Sequence, residues 1–188
     1  MNNYLRTVSV VTALLVTVFT STTSVLAKAE KTEDELIQEF SNPKGSVVAK
    51  AMMDVEKNFP HSAKATPLIK AALTDPRPEV RRKAARVLGV WHEEVSAQDI
   101  KNICAMLKAA EPAEVMDALK SLGGLRAKSA VPEILPCLKA THPNVVRDAC
   151  RALAQIGDKS VIPAIEPLTS SSDKAIKKDA EEAIFKLK

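Results

Sequence analysis

The sequence predicts an all-α fold, a right-handed α-α superhelix of about five stacked helix pairs. Three observations predict it. The 188-residue chain is 46% apolar but only 3% aromatic, and it is rich in Ala and Leu. That balance suits close helix packing better than sheets, which favour aromatic and β-branched residues. A phrase recurs through most of the chain at a spacing of thirty-odd residues. Proline and glycine punctuate the recurrences at matching places, as helix starts and stops do.

The N-terminus stands apart. A short start carrying Arg6 leads into a mostly apolar run, residues 8–19, and then into Val25-Leu26-Ala27-Lys28-Ala29. A positive end, an apolar middle and a small-residue exit are the parts of a secretory signal peptide. Residues 1–29 are therefore expected to be a signal peptide cut after Ala27 or Ala29, with residues 30–188 as the repeat domain. The apolar run is short of the ~20 residues needed to span a bilayer. An exported protein, periplasmic or secreted and not embedded in membrane after cleavage, is the expectation.

The repeat is read from its helices. Pro67, Pro132 and Pro163 each precede, by thirteen residues, a β-branched apolar residue: Val80, Val145 and Ile176. Four further on stand Ala84, Ala149 and Ala180, and four beyond those Leu88, Leu153 and Ile184. Steps of four place these residues on one helical face. Leu107, Ala118 and Leu122 make a weaker copy in the same frame. So do Phe40, Val47, Ala51 and Val55 near the start. The anchor alanines Ala51, Ala84, Ala118, Ala149 and Ala180 are thus spaced by 33, 34, 31 and 31.

Each copy reads as two helices. Thr66-Pro67 suits a helix start, Thr as a cap and Pro at the first helical position. Ser96 with Asp99 forms a related cap. Pro78, Pro112 and Pro143, six before their anchors, suit the first turn of each second helix. Gly89, Gly123, Gly124 and Gly157 fall at or near its end, where a left-handed residue is wanted. Pro136 and Pro167 lie inside first helices and predict kinks. The terminal copies should be atypical, each having an open side, and the charged lead 30–39 suits a cap.

Pro67, Asp75, Val80 and Arg81 reproduce the Pro-Asp-Val-Arg spacing of HEAT repeats. Residues 145–158, with Arg147, Ala149, Ala152-Leu153 and Ile156-Gly157-Asp158, resemble the short HEAT variant of phycobilin lyases. The resemblance covers roughly residues 32–188. It implies a solenoid whose second helices line the concave side. It also implies structural roles for Asp75 and Arg81 in a ladder between repeats, and that pattern decays to Ala140, Val146, Ser171 and Lys177 in the last copies. Such repeats serve unrelated roles, so function does not follow from the fold.

Chemistry-bearing residues are sparse. His61 and His92 follow second helices, whereas His142 sits in a turn at the opposite end of a helix about 20 Å long. No His has a second ligand three or four residues away on a helix, as zinc sites often require. The HEAT-like deoxyhypusine hydroxylases use several His-Glu pairs; here His92-Glu93 is one pair and reads as a polar loop. Cys137 falls in an apolar column and reads as core. Cys150 lies on the partner helix, so a Cys137–Cys150 bridge is possible, though buried free thiols fit the odd number better. Cys104 falls in a mixed column and is expected to be partly exposed. The net charge of +4 is too small for a nucleic-acid binder. No catalytic, cofactor-binding or metal-binding residue is assigned.

One surface stands out. Positions two before and two after each anchor point away from it and face solvent. Across copies two to five they hold Arg82, Arg86, Lys120, Arg147, Arg151 and Lys178, with Met116 and Glu182 the two exceptions; stacking would align the six into a basic stripe. Asp117, Asp148 and Asp179 occupy the adjacent column and could neutralise part of it. The expected function is a non-enzymatic interaction scaffold for an acidic protein or peptide. The alternative, implied by the resemblance, is a lyase-like HEAT enzyme or an accessory of one.

Overall fold

In the computed structural model, which describes residues 30–188, ten helices follow one another without strands among the described residues. The signal-peptide segment lies outside the described residues. Residues Glu33–Lys188 form one compact unit. Copy one comprises α1 (Glu33–Gln38) and α2 (Gly45–Asn58). Copy two comprises α3 (Ala65–Ala71) and α4 (Pro78–Trp91). Copy three comprises α5 (Ala97–Met106) and α6 (Pro112–Gly124). Copy four has α7 (Val131–Ile134) and α8 (Pro143–Ile156). Copy five has α9 (Ile162–Ile165) and α10 (Lys174–Leu187).

Each second helix packs on the next: α2 on α4, α4 on α6, α6 on α8, α8 on α10. All five anchor alanines are fully buried, because only a methyl group fits between neighbouring helices. Around them Leu88, Leu122, Leu153 and Ile134 complete one continuous core. A single pair could not bury this face alone, so the stacking itself supplies the core.

The local signals resolve as follows. Pro78, Pro112 and Pro143 open their helices. Ser96 and Asp99 form a reciprocal capping box. Thr66 does not cap α3: its hydroxyl is buried without a partner. Ser62 does that work, its Oγ accepting from Ala65 N at 2.9 Å, because the helix begins at Ala65, two residues earlier than Thr66-Pro67 suggests. Pro136 and Pro167 do not kink α-helices. Each lies in a 3₁₀ turn, Leu135–Lys139 and Glu166–Ser170, that replaces the second half of the helix. A proline has no N–H for the i−4 bond, and the tighter turn dispenses with it.

The glycines divide by role. Gly157 alone is left-handed, at φ 79° after α8. After α2, α4 and α6 that conformation falls to His61, His92 and Arg126. Gly89, Gly123 and Gly124 lie within helices and serve close approach. A Cβ on Gly89 would stand 2.7 Å from Ser121 Cα, and one on Gly124 2.5 Å from the Gly89 carbonyl oxygen. The Ser121 hydroxyl donates to Ala85 O across this joint at 2.6 Å. The position five after the anchor therefore faces the following copy: Gly89, Gly123 and Ala154 at the later joints. In copy five it is Phe185, 82% exposed. The outer face of α10 also carries Lys177 and Glu181, which pair along the helix. The terminal copy is atypical in this sense.

In copy two, Asp75 accepts from Arg77 N at 2.9 Å and from Arg77 Nε at 2.8 Å. Arg81 donates to Asp75 O at 2.8 Å and reaches the next copy at Glu114, 2.7 Å away. The ladder lands on Glu114 because the next turn has Ala109 where Asp75 stands. Both residues are structural. The Arg77 hydrogen bond holds the Asp75 carboxyl below its usual range, against burial. A depressed folded value contributes stability that is full above the unfolded value of about 3.9 and is lost as pH falls through the folded one. The melting temperature of Asp75→Ala should therefore fall less steeply than that of the unaltered chain between about pH 5 and pH 2.

Candidate functional site

The six stripe residues lie on second helices of consecutive copies, as their spacing requires, but they are not six free charges. Arg82 Nε donates to Asp117 Oδ2 of the next copy at 2.7 Å. Arg147 Nε donates to Asp179 Oδ2 at 2.7 Å, and Arg151 Nη2 to Asp179 Oδ1 at 3.0 Å. Lys120 lies 3.4 Å from Asp148 Oδ2, and Lys178 lies 3.7 Å from Glu182 on its own helix. The acidic column one before the anchor thus binds the basic columns of the preceding copy. Asp148 and Asp179 are buried. Their charge is tolerable there because each meets a cation. The Asp179 hydrogen bond raises the already high Arg147 value further.

Four basic groups remain exposed, among them Lys178 at 74%. Arg86 is exposed, and its side chain has no hydrogen bond or ion pair among the described residues. The Lys120 side chain is 59% exposed and that of Arg151 50%. Arg86 and Lys120 flank a depression of about 590 Å³ that also takes in Gly89, Val90, His92, Ser121, Gly124, Gln155 and Asp117, whose carboxylate is held by Arg82. The hollow exists because its glycines and serine have little or no side chain. His92 is pinned at its edge by a 2.7 Å contact from Nδ1 to Gly124 O. The sequence predicts the stripe and its partial neutralisation by Asp117, Asp148 and Asp179, and the ion pairs bear this out; it does not reveal the depression. The pattern Gly89, Ser121, Gly124 was the available signal.

The other candidates settle plainly. His92 and Glu93 do not act together, since Glu93 Oε1 contacts His61 Nδ1 at 3.0 Å. Among the described residues no group of three or more His, Cys, Asp and Glu is placed to hold a metal, and no helix is long and apolar enough to cross a membrane. Cys137 and Cys150 are separate free thiols, so the possible bridge is absent, and burial pushes Cys150 up to about 12. Cys104 is buried, not partly exposed. Its α5 face is covered by copy four, and burial, with Glu133 adding to it, pushes its thiol up to about 11.

Comparison with known proteins bears on the fold. Residues 100–184 match the family model of HEAT repeats. No curated relative matches the sequence. The complex of CpcE and CpcF of phycocyanin lyase from Nostoc sp. contains a similar chain. It has a TM-score of 0.73 at 21% identity, covering 87% of this chain and 67% of that one. A designed armadillo repeat protein in complex with the peptide (KR)4 is similar at TM-score 0.61 and 14% identity, over 81% of this chain and 80% of that one. The fold is a HEAT- and armadillo-like helical solenoid.

Proposed function

We propose that this chain is an exported, non-enzymatic scaffold that holds an acidic protein or peptide against its second helices. The observation that carries the reading is the set Arg86, Lys120 and Arg151. They are exposed on adjacent copies, and Arg86 and Lys120 sit on either side of a ready hollow. Arg offers paired donors to a carboxylate, and the joint field would chiefly raise the rate of capture. The designed armadillo relative is bound to a basic peptide; this surface is itself basic, so its match is an acidic one. Export rests on the pattern of residues 1–29, and periplasm or secretion follows from it.

The test is fluorescence anisotropy with a labelled Glu-rich octapeptide. The unaltered chain should bind it, more weakly as salt rises. Arg86→Glu with Lys120→Glu should weaken binding more than about tenfold, roughly 1.4 kcal/mol. Equal binding by the folded double variant overturns the reading. The likeness to a lyase subunit favours a second reading, an accessory of a lyase-like enzyme. Retention of a coloured or metal cofactor by the purified chain would support it.

A further inference from the structure

The turn between the two helices of a copy follows a rule that two copies break. In copies one, two and five a side chain accepts from the backbone N–H two residues on. Asn42 Oδ1 takes Lys44 N at 2.9 Å, Asp75 Oδ1 takes Arg77 N at 2.9 Å, and Ser171 Oγ takes Asp173 N at 3.2 Å. In copies three and four the accepting position is Ala109 and Ala140. A methyl group accepts nothing, so the N–H groups of Glu111 and His142 have no such side-chain acceptor.

A cleft of about 530 Å³ opens where these two turns meet, lined by Ala109, Ala140 and His142, with Leu107, Val115 and Val145 as apolar wall. His142 Nδ1 is buried with no hydrogen-bond partner among the described residues. A buried polar atom left unpaired is costly, and paired groups are the rule in folded proteins.

We propose that this cleft binds a small amphipathic monocarboxylate, its apolar body on the wall and its carboxylate at His142. Copy two supplies the template. There the Asp75 carboxylate takes bonds from the N, Nε and Nη2 of Arg77. Copy four keeps donors at the corresponding residue, the backbone N–H and the ring nitrogen of His142, and lacks the carboxylate. An ionised carboxylate is an acceptor only, so it selects the tautomer with Nδ1 protonated. Lys108 stands on the lining to favour an anion, and Glu133 on the same lining works against one, so a single carboxylate held at His142 is the most the charges accept. The volume lies in the usual range for small-molecule sites.

The probe is decanoate, with decanol as its neutral counterpart, titrated into the purified chain by calorimetry. Cys104 and Cys137 line the cleft, whereas Cys150 does not, so labelling by methyl methanethiosulfonate reports occupancy independently. Decanoate should bind one-to-one and at least tenfold tighter than decanol. It should slow labelling of Cys104 and Cys137 and leave Cys150 unchanged. Ala140→Asp, which supplies an internal carboxylate, should weaken decanoate at least tenfold. Equal affinity for acid and alcohol overturns the proposal, as does absence of binding or of thiol protection. Undiminished binding by a cooperatively melting Ala140→Asp chain overturns it too. Should that variant misfold, the acid-alcohol comparison and the labelling pattern decide on the unaltered chain.

Discussion

Gly89→Leu should cost about 3 kcal/mol, the upper part of the usual range for forcing extra volume into a packed core. The new Cβ would stand 2.7 Å from Ser121 Cα, and backbone cannot rotate aside as a flexible side chain can. α4 and α6 must separate, which also strains the buried hydrogen bond from Ser121 to Ala85 O. Leucine has a better helix propensity than glycine by somewhat less than about 1 kcal/mol, too little to reverse the sign. The joint between copies two and three is the one weakened, so unfolding should also lose cooperativity, since an array is held by its neighbour interfaces. A urea melt followed by circular dichroism would show a lower midpoint and a broader transition. Gly157→Ala is the contrast: no atom lies within 4 Å of its added Cβ. Only the left-handed backbone is strained, at about 1–2 kcal/mol. A Gly89→Leu chain as stable as its parent would contradict the close-approach role.

Asp179→Ala should divide stability from capture. Asp179 is buried and accepts from both Arg147 and Arg151 of the preceding copy. Its loss removes charge-assisted bonds worth about 2 kcal/mol together. The figure is held down because the two guanidinium groups can turn to water. Arg147 then carries uncompensated charge on the stripe, and Arg151 keeps only its 3.4 Å pair with Asp148. The acidic octapeptide should associate faster, by roughly threefold to tenfold, while the melting temperature falls. Stopped-flow anisotropy and thermal unfolding of the same preparation measure the two effects. Slower association would count against the stripe as the docking surface.

The helix pairs were legible because steps of four and recurring prolines are local signals. The anchor alanines were legible because a small residue repeated in phase marks close packing. The glycines were harder to read. Gly89 near a helix end looks like a cap in one dimension, and only the approach of Ser121 from the next copy separates the two roles. The stripe was legible as a set of positions, but its neutralisation depends on which Asp of the following copy each Arg can reach, a distance across a joint. The cleft at His142 was less visible still. Its cause is in the sequence, as Ala109 and Ala140, yet a missing acceptor becomes meaningful only beside the turns where Asn42, Asp75 and Ser171 supply one.

Phe185 has a consequence for how such an array could lengthen. At the joints from copy two onward, the facing position offers a hydrogen or a methyl group: Gly89, Gly123, Ala154. A tandem duplication within the interior would reproduce that surface and find its seat ready. The same duplication appended behind α10 would meet a benzyl ring standing in solvent where the incoming backbone must pass. Growth by recombination inside the array thus reuses a small seat, whereas a copy placed against α10 must accommodate Phe185, as copy two accommodates Glu56 by pairing it with Lys83.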